Sequence, residues 1–100
     1  MYVIAQHEVL DPPRFWGRAE ETTVVLPPHL RLHHCFSSPD GHRAVCVWEA
    51  DSVRSVEQFF EDNGLTQISR NTFFSAANKD GVALPSPLGA AFDKADELGE

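Results

Sequence analysis

Apolar residues recur at every second position in some stretches of the chain and at every third or fourth in others, with changeovers at Pro, Gly and Asp. Period two marks a strand and period 3.6 a helix. Residues 2–9, rich in Val and Ile, predict a first strand. Asp11-Pro12-Pro13 follows and reads as a helix start, because Asp caps free N–H groups and Pro is tolerated in the first turn. Phe15, Trp16 and Ala19 fall at helical spacing and carry that helix to about Glu21. Residues 22–26 are β-branched, read as extended, and close at Pro27-Pro28. Residues 30–37 predict a second strand and residues 42–50 a third. Between them, Pro39 and Asp40 suit the centre of a type I turn, and Gly41 the left-handed position after it. Asp51 or Ser52 caps a second helix with Val53, Val56, Phe59 and Phe60 as its buried stripe and Gly64 at its end. Residues 71–77 form a fourth strand.

The order is β-α-β-β-α-β, the split βαβ arrangement of an α+β, ferredoxin-like domain. Two helices then cover one face of a four-stranded antiparallel sheet. The other face is also apolar. Val3 and Ala5 point one way and Tyr2 and Ile4 the other; Val45 and Val47 oppose Cys46 and Trp48; Phe73 opposes Phe74. A sheet wet on one side alternates apolar with polar residues. A second copy, packed sheet against sheet, is the simplest cover. Residues 1–82 make this domain. Residues 83–100, with Pro85-Ser86-Pro87 and an acidic end, read as a tail, in which 88–98 allow a weak helix.

Leu32-His33-His34-Cys35-Phe36, a short hairpin, then Ala44-Val45-Cys46-Val47-Trp48-Glu49-Ala50-Asp51-Ser52 carry a resemblance. The Cys-Val-aromatic-Glu-Ala strand end running into a Val-bearing helix that closes on Gly64 resembles the dimeric α+β barrel superfamily. Within it, the chain is similar to a family of small domains of mostly unknown function. The resemblance covers roughly residues 1–80. It implies a homodimer joined through the sheets and, as in some members, a transition metal such as nickel. The superfamily also holds haem-degrading and quinone-forming monooxygenases, muconolactone-type isomerases and polyketide cyclases, so the fold fixes no reaction.

Charge narrows the partners. Lys and Arg total 8 against 15 Asp and Glu, a net charge of -7. That field repels a phosphate backbone and an anionic membrane surface, so neither nucleic acid nor membrane is an expected partner. The apolar runs are too short for a transmembrane span, and Met1 opens directly on a strand rather than a basic leader. The expected compartment is the cytoplasm, where Cys35 and Cys46 are expected reduced; their neighbouring strands allow a disulfide, which that compartment disfavours.

Pairing Ser38 with His42 across the turn sets the register. His34 then lies opposite Cys46, sharing the more apolar face with Trp48, while His33, Cys35 and Glu49 share the other. A one-residue slip exchanges the two sets. Imidazole and thiolate suit nickel, copper or zinc, which makes His34 and Cys46 candidate metal ligands. A second copy or His7 has to complete the set. The plainer reading makes Cys46 a small buried hydrophobe and His34 a hydrogen-bonded strand residue. His7 is the candidate catalytic acid or base near neutral pH, or else a half-exposed strand-end residue. His33 and Glu49 suit a base with its orienting carboxylate, or an ordinary surface pair. Trp16, Trp48 and Phe59, with Phe15 and Phe60, are candidates to line an apolar cavity; ordinary core packing is the alternative.

The chain holds no phosphate loop, dinucleotide fingerprint, nucleophile elbow or zinc-protease motif. The expected function is a small homodimeric protein that binds a small ligand or a transition metal. The alternative is a cofactor-free monooxygenase or isomerase acting on an apolar aromatic or polyketide-like substrate.

Overall fold

A computed structural model of the chain describes residues 1–77. The element order is β1 (Tyr2–Val9), α1 (Pro12–Thr23), β2 (Leu30–Ser37), β3 (Arg43–Ala50), α2 (Val53–Asp62), a short 3-10 turn (Leu65–Gln67) and β4 (Ser69–Ala76). All strand pairs are antiparallel, in the sheet order β2-β3-β1-β4. This is the α+β, ferredoxin-like arrangement that the periodicity predicts. The tail expected over residues 83–100, and its helix, lie outside the described residues.

The helices start where capping chemistry places them. The Asp11 carboxylate accepts from the Arg14 N–H, with Pro12 and Pro13 in the first turn. The Ser52 hydroxyl accepts from the Ser55 N–H and opens α2. Helix α1 runs two residues past its expected end. Thr22 and Thr23 donate their hydroxyls to the Arg18 and Ala19 carbonyls, at 2.9 and 2.8 Å. Those bonds let two β-branched residues close a helix rather than open a strand. Val24 and Val25 are consequently left exposed in the connection.

One face of the sheet packs under the helices. Val3, Ala5 and Val9 of β1 and Cys46, Trp48 and Ala50 of β3 meet Phe15 of α1 and Val56, Phe59 and Phe60 of α2. Burial of each large side chain is worth about 1.5–3 kcal/mol. The open face takes the intervening residues. Its central row, set by register, runs Phe74, Ile4, Val47 and His34 across β4, β1, β3 and β2. The next row runs Thr72, Gln6, Val45 and Phe36.

The β2–β3 hairpin departs from the expected register. Ser38 pairs with Arg43, whose carbonyl accepts the Ser38 N–H at 2.9 Å. The Ser38 hydroxyl takes the Arg43 N–H at 3.0 Å, and Asp40 accepts the His42 N–H at 3.0 Å. These bonds hold four residues in the loop, one more than expected. Near the loop the register is therefore shifted by one: Phe36 faces Val45, Cys35 faces Cys46 and His34 faces Val47. An irregularity between Leu32 and His34 absorbs the extra residue, and Leu32 faces Trp48 as the unshifted register requires.

Gly41 has φ 77, as its place after the turn predicts. A Cβ there would meet Trp16 Nε1 at 3.2 Å, and that indole donates to the Gly41 carbonyl at 3.0 Å. Gly41→Ala is expected to cost about 1–2 kcal/mol, from left-handed backbone and a strained indole contact. Urea unfolding of the two proteins checks this; equal midpoints contradict it.

Candidate functional site

His7 is placed by the alternation of β1, which turns it inward with Val3, Ala5 and Val9. It is 4% exposed, so the half-exposed strand-end alternative does not hold. Its ring stacks on Phe60 at 4.9 Å and packs against Phe15 and Phe73 at 5.6 and 6.3 Å. Register sets Asn71 of β4 directly opposite. His7 Nδ1 lies 2.6 Å from Asn71 Oδ1. An amide oxygen only accepts, so Nδ1 carries the proton and Nε2 is a bare lone pair. Among the described residues, Nε2 is buried without a partner. Burial pushes the imidazole below its usual titration range, outweighing the Asn71 bond that favours the charged form. His7 is therefore neutral at pH 7. Asn71 was not legible as its partner from the chain alone, because the offset between β1 and β4 comes only with the sheet.

The two candidate metal ligands do not meet. His34 faces Val47 and stacks on Phe36 at 5.8 Å, on the open face. Cys46 faces the helices and is buried. The shifted register puts them on opposite sides of the sheet, so they cannot share one ion within a copy. Among the described residues, no group of three or more His, Cys, Asp or Glu is placed to hold a metal. What Cys46 meets is Cys35, at Sγ–Sγ 2.7 Å.

The His33–Glu49 pair does form. His33 Nε2 lies 2.9 Å from Glu49 Oε1 on the open face, with Tyr2 beside the imidazole at 5.6 Å. The His33 bond holds the Glu49 carboxyl below its usual range, helped by the nearby positive charge of Arg31. Cys35, expected beside them, is on the other face.

The aromatic candidates divide. Trp48 and Phe59 are both buried, in contact at 5.5 Å, with Phe60 at 6.1 Å from each. Trp16 packs instead on Phe15 at 4.9 Å and reaches the β2–β3 turn. Trp48 Nε1 is buried with no partner among the described residues. Phe59 also lines, with Leu30, a groove of about 740 Å³ beside α2.

A hollow of about 970 Å³ lies at one end of the sheet, where β1 and β3 meet the β2–β3 turn. Phe36 and Val45 give it an apolar wall, Arg43 and Arg70 a positive rim, and Gln6 and Thr72 neutral hydrogen-bonding groups. Glu8 answers Arg70 at 3.5 Å. No helix among the described residues is long and apolar enough to cross a membrane. No protein-family model matches the chain, and no curated protein is similar enough to count as a relative.

Proposed function

We propose that the chain works as a homodimer, two sheets packed open face to open face as in a dimeric α+β barrel, and that each copy binds a small, largely apolar acid at the end of its sheet. The observation that carries the proposal is the open face. Phe36, Val45 and Phe74 are 64, 39 and 44% exposed there, beside half-buried Ile4 and Val47. Those side chains line up in adjacent rows, so a two-fold-related copy can cover the central row of Phe74, Ile4 and Val47 and leave Phe36 and Val45, at the sheet end, as the wall of the ligand cleft. Light scattering is expected to give a mass twice the 11.1 kDa of the chain. Phe74→Asp is expected to weaken association at least about 100-fold while leaving the fold intact, because a buried unpaired carboxylate costs several kcal/mol. A monodisperse monomer of the unaltered protein at micromolar concentration overturns the proposal.

The ligand half rests on the sheet-end cleft, whose apolar wall and arginine rim suit an aromatic or aliphatic carboxylate. Titration with 1-naphthoate, followed by calorimetry, is the direct check; binding is expected to weaken in Arg43→Gln. A transition metal such as nickel is no part of the proposal, since His34 and Cys46 face opposite ways. The enzyme alternative asks His7 Nε2 to reach a substrate, and that atom is sealed among aromatic rings. Binding is therefore favoured over proton transfer. The proposed compartment is the cytoplasm, where an acidic protein keeps its thiols reduced.

A further inference from the structure

We propose that Cys35 and Cys46 form a reversible dithiol–disulfide pair that is closed by hydrogen peroxide and opened by an external dithiol. The β2–β3 register places them directly opposite. Opposed residues on antiparallel strands have Cα atoms about 4.5 or 5.5 Å apart. Both spacings fall inside the range of about 4.4–6.8 Å that a disulfide spans. The sulfurs are 2.7 Å apart, already pointed at each other across the strands. The one-residue shift made by the longer hairpin loop is what creates the pair. In the unshifted register Cys46 would face His34.

The two thiols differ in the way a sequential reaction needs. Cys35 is exposed on the edge strand, and Cys46 is buried. The contact between them lowers the pKa of Cys35, whereas the same contact and burial raise that of Cys46. Cys35 is thus the accessible and more readily ionised thiol, and Cys46 the buried reserve. Both face the helix side of the sheet, so a partner copy on the open face leaves Cys35 reachable.

The chemistry balances in two steps. The Cys35 sulfur attacks peroxide; an S–O bond forms, the O–O bond breaks, and hydroxide leaves and takes up a proton as water. The Cys46 sulfur then attacks the sulfenic acid; the S–S bond forms, the S–O bond breaks, and the departing hydroxide leaves as water with the Cys46 proton. Two thiols are oxidised by two electrons and the peroxide is reduced to two waters. The bridge ties the β2 edge to β3 beside the irregularity at His33.

Intact mass spectrometry of the full chain tests the pair. The reduced protein is treated with hydrogen peroxide while folded, then denatured and alkylated with N-ethylmaleimide. The chain has two cysteines, so closure removes both alkylation sites and two hydrogens within the mass of one chain. Dithiothreitol is expected to restore both sites. Two sites that persist, a linked pair of chains, or bridging no faster in the folded protein than in urea each overturn the proposal. With dimedone present, Cys46→Ser is expected to carry the label on Cys35 and Cys35→Ser to stay unlabelled; the reverse pattern overturns the assigned roles. If Cys46→Ser does not fold, Cys46→Ala takes its place.

Discussion

Trp48→Ala is expected to lower the stability of the domain by about 3–5 kcal/mol, the usual cost of emptying a large aromatic site in a packed core. Trp48 is the largest fully buried side chain and touches both phenylalanines of α2. Domains of this size are stable by about 5–15 kcal/mol, so the loss takes a large share and brings the variant close to unfolding at ambient temperature. Trp48→Phe is expected to cost far less. It removes an indole N–H that is buried without a partner, and relief of that desolvation offsets part of the lost packing. Urea midpoints for the three proteins order as unaltered, then Phe, then Ala. The same series separates core from binding wall. If Trp48 lined a ligand cavity with room to spare, truncation to Ala would leave the midpoint nearly unchanged.

The sheet was legible because its strands carry strong period-two signals bounded by unambiguous stops. Asp11-Pro12-Pro13 and Ser52 start helices through side-chain chemistry that is visible in the letters alone. Gly41 and Gly64 fall where positive φ is needed, at 77 and 71. The apolar character of both faces was legible for the same reason: Phe73 lies against the core and Phe74 in solvent, as alternation demands. The hairpin was not. Whether the loop holds three residues or four depends on the Ser38 hydroxyl and the Asp40 carboxylate, which choose backbone partners only once the strands are in place. One residue of difference moved Cys35 and His34 to opposite assignments, because the side-chain period of a strand is two. The neighbouring histidines hid the shift, since His33 and His34 are the same letter on either register. The end of α1 shows the same limit: Thr22 and Thr23 favour strands by shape, and back-bonding to the helix carbonyls decides otherwise. The aromatic residues posed a third case. Trp16 and Trp48 look alike in the sequence, yet one reaches a turn carbonyl and the other fills the core.

The stability of this domain is expected to fall on mild acidification, and His7→Phe to remove most of that fall. In the unfolded chain a histidine takes up its proton at about pH 6.5. In the folded protein burial holds His7 below that value. Between the two, the unfolded state binds more protons, so stability declines as pH drops. The decline starts near pH 6.5 and runs at up to about 1.4 kcal/mol per pH unit until the folded ring itself protonates. Above that window the imidazole is neutral in both states and contributes no pH dependence. Carboxylates whose pKa is lowered in the fold, Glu49 and Asp51 among them, lose their contribution only at lower pH. Phe in place of His7 sits among Phe15, Phe60 and Phe73, keeps the stacking, and discards the lone pair that Nε2 buries. The half-buried Asn71 can turn its freed amide to water. Urea midpoints at about pH 7.5, 6.5 and 5.5 measure the effect. The unaltered protein is expected to weaken steadily across the lower interval and the variant to stay nearly flat. Parallel lines for the two proteins would mean that His7 protonates in place, and the ring would then have to be open to water in a way its packing on Phe60 does not allow.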